Sequence, residues 1–175
     1  MVPRVVIGMS YGFGFLGAAA VICGINSVHA GGEARAIAGW VEPVAIAGVV
    51  LEAKLDTGAQ TSSLGAANLA KFSRNGERWV RFDIGREGRA DRQIEAPLVR
   101  RARVRRAGTT IERRPVVILN LCLAGHGIET EFTLTDRSGL DYVALIGREA
   151  LGRRLLVDPG RTHLTEPTCP QSGPQ

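Results

Sequence analysis

From position 40 onward, apolar and polar residues alternate with a period of two along much of the chain, the mark of strands with one buried face. Leu51, Ala53 and Leu55 alternate with Glu52 and Lys54, and 44–55 as a whole predicts two strands turning at Ala47-Gly48. Further strands are predicted at 78–84, at 94–104, around the apolar run Val116-Val117-Ile118-Leu119, at 128–134, at 142–146 and at 155–157. Within 94–104, Pro97 marks an edge or a bulge, because it cannot donate to a ladder. Turns fall at 85–88, at Ala107-Gly108 and at Gly125-His126-Gly127, the last as a hairpin. Residues 61–64 read as loop. Helix is predicted only at 66–72 and 148–153, as one or two short pieces. The pattern predicts an all-β domain with no internal repeat.

Composition narrows this. A chain of 175 residues suits one domain and leaves no room for two full lobes. At 45% hydrophobic it can bury a core. The formal charge is +5, and of its 22 basic residues only Lys54 and Lys71 are lysines. Arginine binds carboxylate or phosphate through a planar fork. No helix-turn-helix, zinc-finger or aromatic-interleaved basic pattern is present, so nucleic acid is not expected as a partner.

The N-terminus predicts export. Arg4 precedes an uncharged stretch at 5–28 that ends in Val28-His29-Ala30, a good cleavage triplet for a secretory signal. The expected organisation is a signal peptide at 1–30, a linker at 31–39, a domain at 40–165 and a disordered tail at 166–175. The location is then periplasmic or secreted. The alternative is an uncleaved stretch at 5–28 anchoring the protein to the inner membrane. Outside the cytoplasm, Cys122 and Cys169 fit either one disulfide or two separate thiols.

The chemistry centres on Asp56-Thr57-Gly58-Ala59, which follows an alternating strand directly. Hydrolysis by an aspartic dyad needs two carboxylates a few ångströms apart that share one proton, one serving as base and one as acid. Such carboxylates must sit on tight loops at the ends of buried strands, and Gly58 lets the backbone approach closely. About ninety residues later comes Ala144-Leu145-Ile146-Gly147-Arg148. The chain has one Asp-Thr-Gly only, so the second carboxylate must come from elsewhere. Asp136 is the rival within the chain, but Asp136-Arg137-Ser138-Gly139 lacks the Thr-Gly, and a turn or ion pair suits it better.

These segments resemble the retropepsin-like aspartic peptidase family. A closer likeness is to a bacterial subfamily labelled "ATP-dependent zinc protease" and related to the peptidase accompanying the ribosomal-protein glutamate ligase. The resemblance is carried by Asp56 to Leu64, by Phe132 to Ser138, by Leu145-Ile146-Gly147-Arg148 and by Leu156-Val157-Asp158-Pro159. It implies a small closed acid-protease β-barrel acting as a homodimer, with Asp56, Thr57 and Gly58 catalytic. It also implies that Ile146, Gly147 and Arg148 cross behind the catalytic loop as structural support. Gln60 stands where retropepsins often carry an acid that pairs with this arginine, so Arg148 needs another partner. Neither metal nor ATP is expected: there is no His-Glu-x-x-His, no phosphate-binding glycine loop, and only His126 and His163 lie beyond the leader.

Ten arginines lie between Arg86 and Arg114. In retropepsins this middle region supplies the flap over the substrate. With Ala59, the residues Arg100, Arg101 and Arg103 are the expected substrate contacts, and an acidic peptide the expected substrate. The alternative is a non-catalytic periplasmic module that holds an acidic partner with the same arginine-rich hairpin. If the leader is cleaved as its sequence predicts, N-terminal sequencing of the exported protein will start at Gly31; a mature chain that retains 5–28 would establish the anchored form.

Overall fold

Ala47 and Gly48 both take positive φ, 48° and 82°. That geometry suits a two-residue hairpin, and it joins β2 (Val41–Ile46) to β3 (Val49–Leu55) in antiparallel register. This computed structural model describes residues 35–86, 89–105, 111–152 and 154–169. The other strands are β1 (Ala36–Gly39), β4 (Ser62–Arg74), β5 (Glu77–Arg86), β6 (Arg89–Pro97), β7 (Arg100–Arg105), β8 (Ile111–Leu123), β9 (His126–Thr135), β10 (Ala144–Ile146) and β11 (Leu155–Asp158). One short helix, α1 (Arg148–Leu151), lies between the last two.

The strands close on themselves. Pairings run β10-β3-β2-β8-β9-β4, and β4 returns to β10, which makes a closed six-stranded barrel. The short β10 is the closing piece, parallel to β3 and antiparallel to β4. Val44, Ile46, Leu64, Leu121, Leu123, Phe132, Leu134 and Ile146 are buried inside. Closure removes the open edges that would otherwise pair with other chains. Beyond the barrel, the far half of β4 pairs with β5, which pairs with β6, while β7 pairs with β8. A separate two-stranded sheet joins β1 to β11 in parallel.

Several expectations change. The helix expected at 66–72 is the second half of β4. Its alanines have helix propensity, but pairing with β5 overrides it through a bulge between Ala67 and Ala70, where Asn68 takes φ 51°. Residues 62–64, expected as loop, open the same strand. The single strand expected at 94–104 is two, because the chain passes from β5 to β8 after Leu98: Leu98 N still donates to Arg78 O of β5 (2.8 Å), whereas Val99 N donates to Val116 O of β8 (3.0 Å). The strands also begin earlier than Trp40. Ala36–Gly39, expected as linker, is β1, and a Cβ at Gly39 would lie 2.5 Å from Arg161 O. The leader, the turn at Ala107-Gly108 and residues 170–175 lie outside the described residues. Among those described, no helix is long and apolar enough to cross a membrane.

Two devices tie the C-terminal segment to the barrel. Cys122 and Cys169 form a disulfide, so the expected tail is held as far as Cys169. Closing a loop of 47 residues in this way stabilises by about 4 kcal/mol in the chain-entropy account. The second device is Glu42, whose side chain is fully buried. Its carboxylate accepts from Gly39 N (2.5 Å), Leu164 N (2.9 Å), Thr165 N (2.9 Å) and Thr165 Oγ1 (2.8 Å). Burial works to raise its pKa, but the hydrogen bonds from Leu164, Gly39 and Thr165 together outweigh burial and hold it below the usual carboxylate range.

A carboxyl whose folded pKa is depressed contributes stability above its unfolded pKa, and that contribution disappears as pH falls through the folded value. Glu42→Gln is therefore expected to destabilise by about 2 kcal/mol at neutral pH, the scale of charge-assisted hydrogen bonds. The deficit should shrink as pH drops below the usual carboxylate range. Urea unfolding of both proteins across that range checks it, and a pH-independent difference would contradict it.

Candidate active site

Strand β3 ends at Leu55, whose N donates to Trp40 O (2.9 Å). Parallel pairing with β10 then continues one residue further, where Asp56 N donates to Ile146 O (2.8 Å). The backbone turns at once. Ala59 N bonds Asp56 O (3.3 Å), and Gly58 N donates to Asp56 Oδ1 (2.9 Å), which orients the carboxylate. Asp56 is half-buried, while Thr57 and Gly58 are exposed at the tip. The carboxylate is thus fixed from below and open from above.

The chain after Ile146 holds the other side of this loop. Arg148 N donates to Ala59 O (2.9 Å) and Glu149 N to Gln60 O (3.1 Å). Gly147 N donates to Ser62 Oγ (3.1 Å). A Cβ on Gly147 would lie 2.6 Å from Gln60 O and 2.8 Å from Thr61 C, so the crossing is too close for any side chain. Gly147 has φ −87°, so this glycine is required for space and not for its conformation.

Arg148 finds its partners in the loop itself. Its Nη1 donates to Thr57 O (3.1 Å) and Gly58 O (3.2 Å), the carbonyls behind the exposed tip. Gln60, which stands in place of the acid, does not bond Arg148. Gln60 Nε2 donates instead to Glu149 Oε1 (2.9 Å), and Thr61 Oγ1 to Glu149 Oε2 (3.2 Å). Glu149 is the residue that sequence reasoning passed over. Its place directly after the Gly-Arg pair, facing a loop without its own acid, was the available signal.

Ala59, Arg100, Arg101 and Arg103 line one cleft of 800 Å³, together with Gln60 and Thr61 of the loop. Arg100 is already engaged: its Nε donates to Glu131 Oε1 (3.1 Å) and Oε2 (3.0 Å), and its Nη2 also meets Glu131 Oε2. That hydrogen bonding raises its pKa above the usual guanidinium range. Arg101 and Arg103 are the more available cations of the hairpin. The ten arginines do not act as one group, since Arg92 Nη1 donates to Ala47 O (3.1 Å), away from the cleft. Asp136 accepts from Ser138 N (2.8 Å) in a tight turn and lines other cavities, not the cleft of the Asp56 loop. Among the described residues, no three His, Cys, Asp or Glu side chains gather into a metal-ligand set.

Comparison with known proteins places this architecture. The RimB-like family model, described as retropepsin-like aspartic endopeptidase RimB, matches residues 37–168. A protein of Shewanella halifaxensis named probable alpha-L-glutamate ligase is 35% identical over 126 residues, 70% of this chain and 28% of that protein. One of the same name from Parasynechococcus marenigrum is 37% identical over 117 residues, 65% of this chain and 25% of that protein. The chain spans about a quarter of the length of these curated relatives. The crystal structure of Lpg0085 from Legionella pneumophila, a protein described as of unknown function, superposes with a TM-score of 0.66 at 32% identity. The match covers 76% of this chain and 100% of that one.

If Gly147 is the tight crossing, Gly147→Ala will destabilise the fold by about 1–3 kcal/mol, the usual cost of overpacking. Gly139→Ala, where a Cβ meets nothing within 4 Å, is the control and should be close to neutral. Chemical denaturation of the two variants compares them, and equal stabilities would contradict the crossing's role.

Proposed function

The chain belongs to the RimB-like family of retropepsin-like aspartic endopeptidases, and we propose that it hydrolyses peptide bonds as a homodimer in which the two Asp56 carboxylates face each other across a two-fold axis. The observation that carries this reading is the loop geometry: an Asp carboxylate held by Gly58 N, braced from behind by Arg148, and open to solvent at its tip. An open tip with a single Asp-Thr-Gly is a half-site. A symmetric partner supplies the other half, because a two-fold axis brings the same residue to both sides.

Two carboxylates that close do not both ionise, so the pair shares one proton. The ionised Asp56 takes a proton from a water lying between them. The water oxygen attacks the scissile carbonyl carbon while the protonated Asp56 gives its proton to the carbonyl oxygen. Collapse of the tetrahedral species breaks the C–N bond: the amine leaves with the proton first taken from the water, and a hydroxyl of the diol returns its proton to the other Asp56, which restores the pair sharing one proton. No covalent enzyme intermediate forms.

An acidic peptide is the substrate class that the cleft favours. Arg101 and Arg103 line it beside the catalytic loop, and the curated relatives carry the name glutamate ligase. A domain related to part of such an enzyme would meet glutamate-rich peptides. The Cys122–Cys169 disulfide supports an oxidising compartment, in keeping with export.

Asp56→Asn tests the reading. The amide keeps the shape but cannot act as base, so the variant should fold normally and lose cleavage by a factor on the order of 10³ or more. Wild-type activity per chain should also fall on dilution, together with the dimer seen by sedimentation. Normal cleavage by the Asn variant would exclude the mechanism. A monomer that binds an acidic peptide without cutting it would replace hydrolysis by a binding role.

A further inference from the structure

Arg137 follows β9 and is half-buried. Its Nε donates to Tyr142 O (2.9 Å), and its Nη1 makes a long contact with Ser63 Oγ (3.4 Å). Both acceptors are neutral, and among the described residues no carboxylate pairs with this guanidinium. Burial, and after it the neighbouring Arg114, push its pKa down. Arg114 is a second cation in the same wall, with its side chain 13% exposed. Its Nη2 donates to Glu112 Oε2 (2.8 Å), but its Nε is buried without a partner. Glu112 also accepts from Thr135 Oγ1 (3.3 Å), so this carboxylate is already shared.

Bringing two guanidiniums together out of water costs desolvation and repulsion unless an anion offsets them. Arg114 and Arg137 both line the 800 Å³ cleft that begins at the Asp56 loop, and both line the adjoining 460 Å³ cavity. Between them and the loop, the cleft wall is carried by Ser63, Thr133 and Leu145. Leu145 directly precedes Ile146, whose carbonyl holds Asp56 N. The cation pair and the catalytic loop therefore share one groove.

We propose that Arg114 and Arg137 form a carboxylate-binding position in the cleft wall, which takes an acidic side chain of a peptide whose scissile bond lies at the Asp56 loop. It rests on the peptidase reading and adds to it two specificity-determining residues distinct from the exposed Arg101 and Arg103. A planar guanidinium matches a carboxylate in geometry as well as charge. Discrimination then depends on one side-chain position of the substrate and not on net charge alone.

The probes are a labelled peptide with three consecutive Glu in an Ala/Gly background and its Gln counterpart. Affinity is measured with the Asp56→Asn protein, so that binding is read without cleavage, and kcat/KM with Asp56 intact. The Glu peptide should be preferred by about tenfold or more. Arg137→Gln and Arg114→Gln should each cut that ratio several-fold without weakening the Gln peptide, and Arg137→Lys should keep most of it. If loss of the Tyr142 contact unfolds Arg137→Gln, the comparison of Arg114→Gln with Arg137→Lys decides. A ratio left at its wild-type value by the charge-removing variants overturns the proposal, as does a wild-type protein with no Glu preference. Inorganic phosphate that binds wild-type but not the variants, with the peptide ratio unmoved, would mean a free-anion site and also overturns it. Absence of cleavage together with a responsive binding ratio would remove the peptidase reading and leave the subsite standing.

Discussion

The crossing of β10 and α1 behind the Asp56 loop is the contact on which the rest of the site depends. Four backbone groups in succession, Ile146 O, Gly147 N, Arg148 N and Glu149 N, bond to the segment 56–62. Two side chains extend the brace, Arg148 to the carbonyls of Thr57 and Gly58 and Glu149 to Gln60 and Thr61. The loop's own turn could not hold a carboxylate still at a solvent-exposed tip. Support from a buried strand can, because that strand also closes the barrel. Barrel closure and site geometry are one feature, and a fault in either would appear in the other.

Segments flanking the barrel strands stabilise the same region from outside. Glu42 sits in β2 opposite Ala53 of β3 and gathers Gly39 and the segment 164–165 around one buried carboxylate. Gly39 leads into Trp40, whose carbonyl receives Leu55 N just before Asp56. An isolated buried carboxylate would be costly, but this one accepts four hydrogen bonds, which keeps it charged and fixes the segments that donate. The disulfide anchors the C-terminal segment further along, on β8, the strand that also carries Arg114.

Much of this was legible in the sequence where a residue's chemistry is local. Alternation at 51–55 located the strand before Asp56. The Ile146-Gly147-Arg148 run, read through its family likeness, located the brace, since no other residue fits where a Cβ meets backbone at 2.6 Å. The failures have one physical cause: pairing with another segment overrides or hides the local signal. Ala66 to Phe72 has helix-forming composition, and only β5 makes it a strand. Ala36–Gly39 looked like a linker because its partner, β11, lies over a hundred residues away. Glu149 and Arg137 were hidden for the same reason. Each acts on residues more than seventy positions earlier, Gln60 and Thr61 in one case and Ser63 in the other.

The proposed catalytic unit is built from two copies of one loop. A crystal structure of the protein at a concentration that supports activity, with the distance between the two Asp56 carboxylates as the quantity read, tests it most directly. In that unit the carboxylate oxygens are expected within about 3 Å of each other or bridged by one water. A dimer that places the two Asp56 side chains on separate faces, or a protein that cleaves peptides as a monomer, would contradict it.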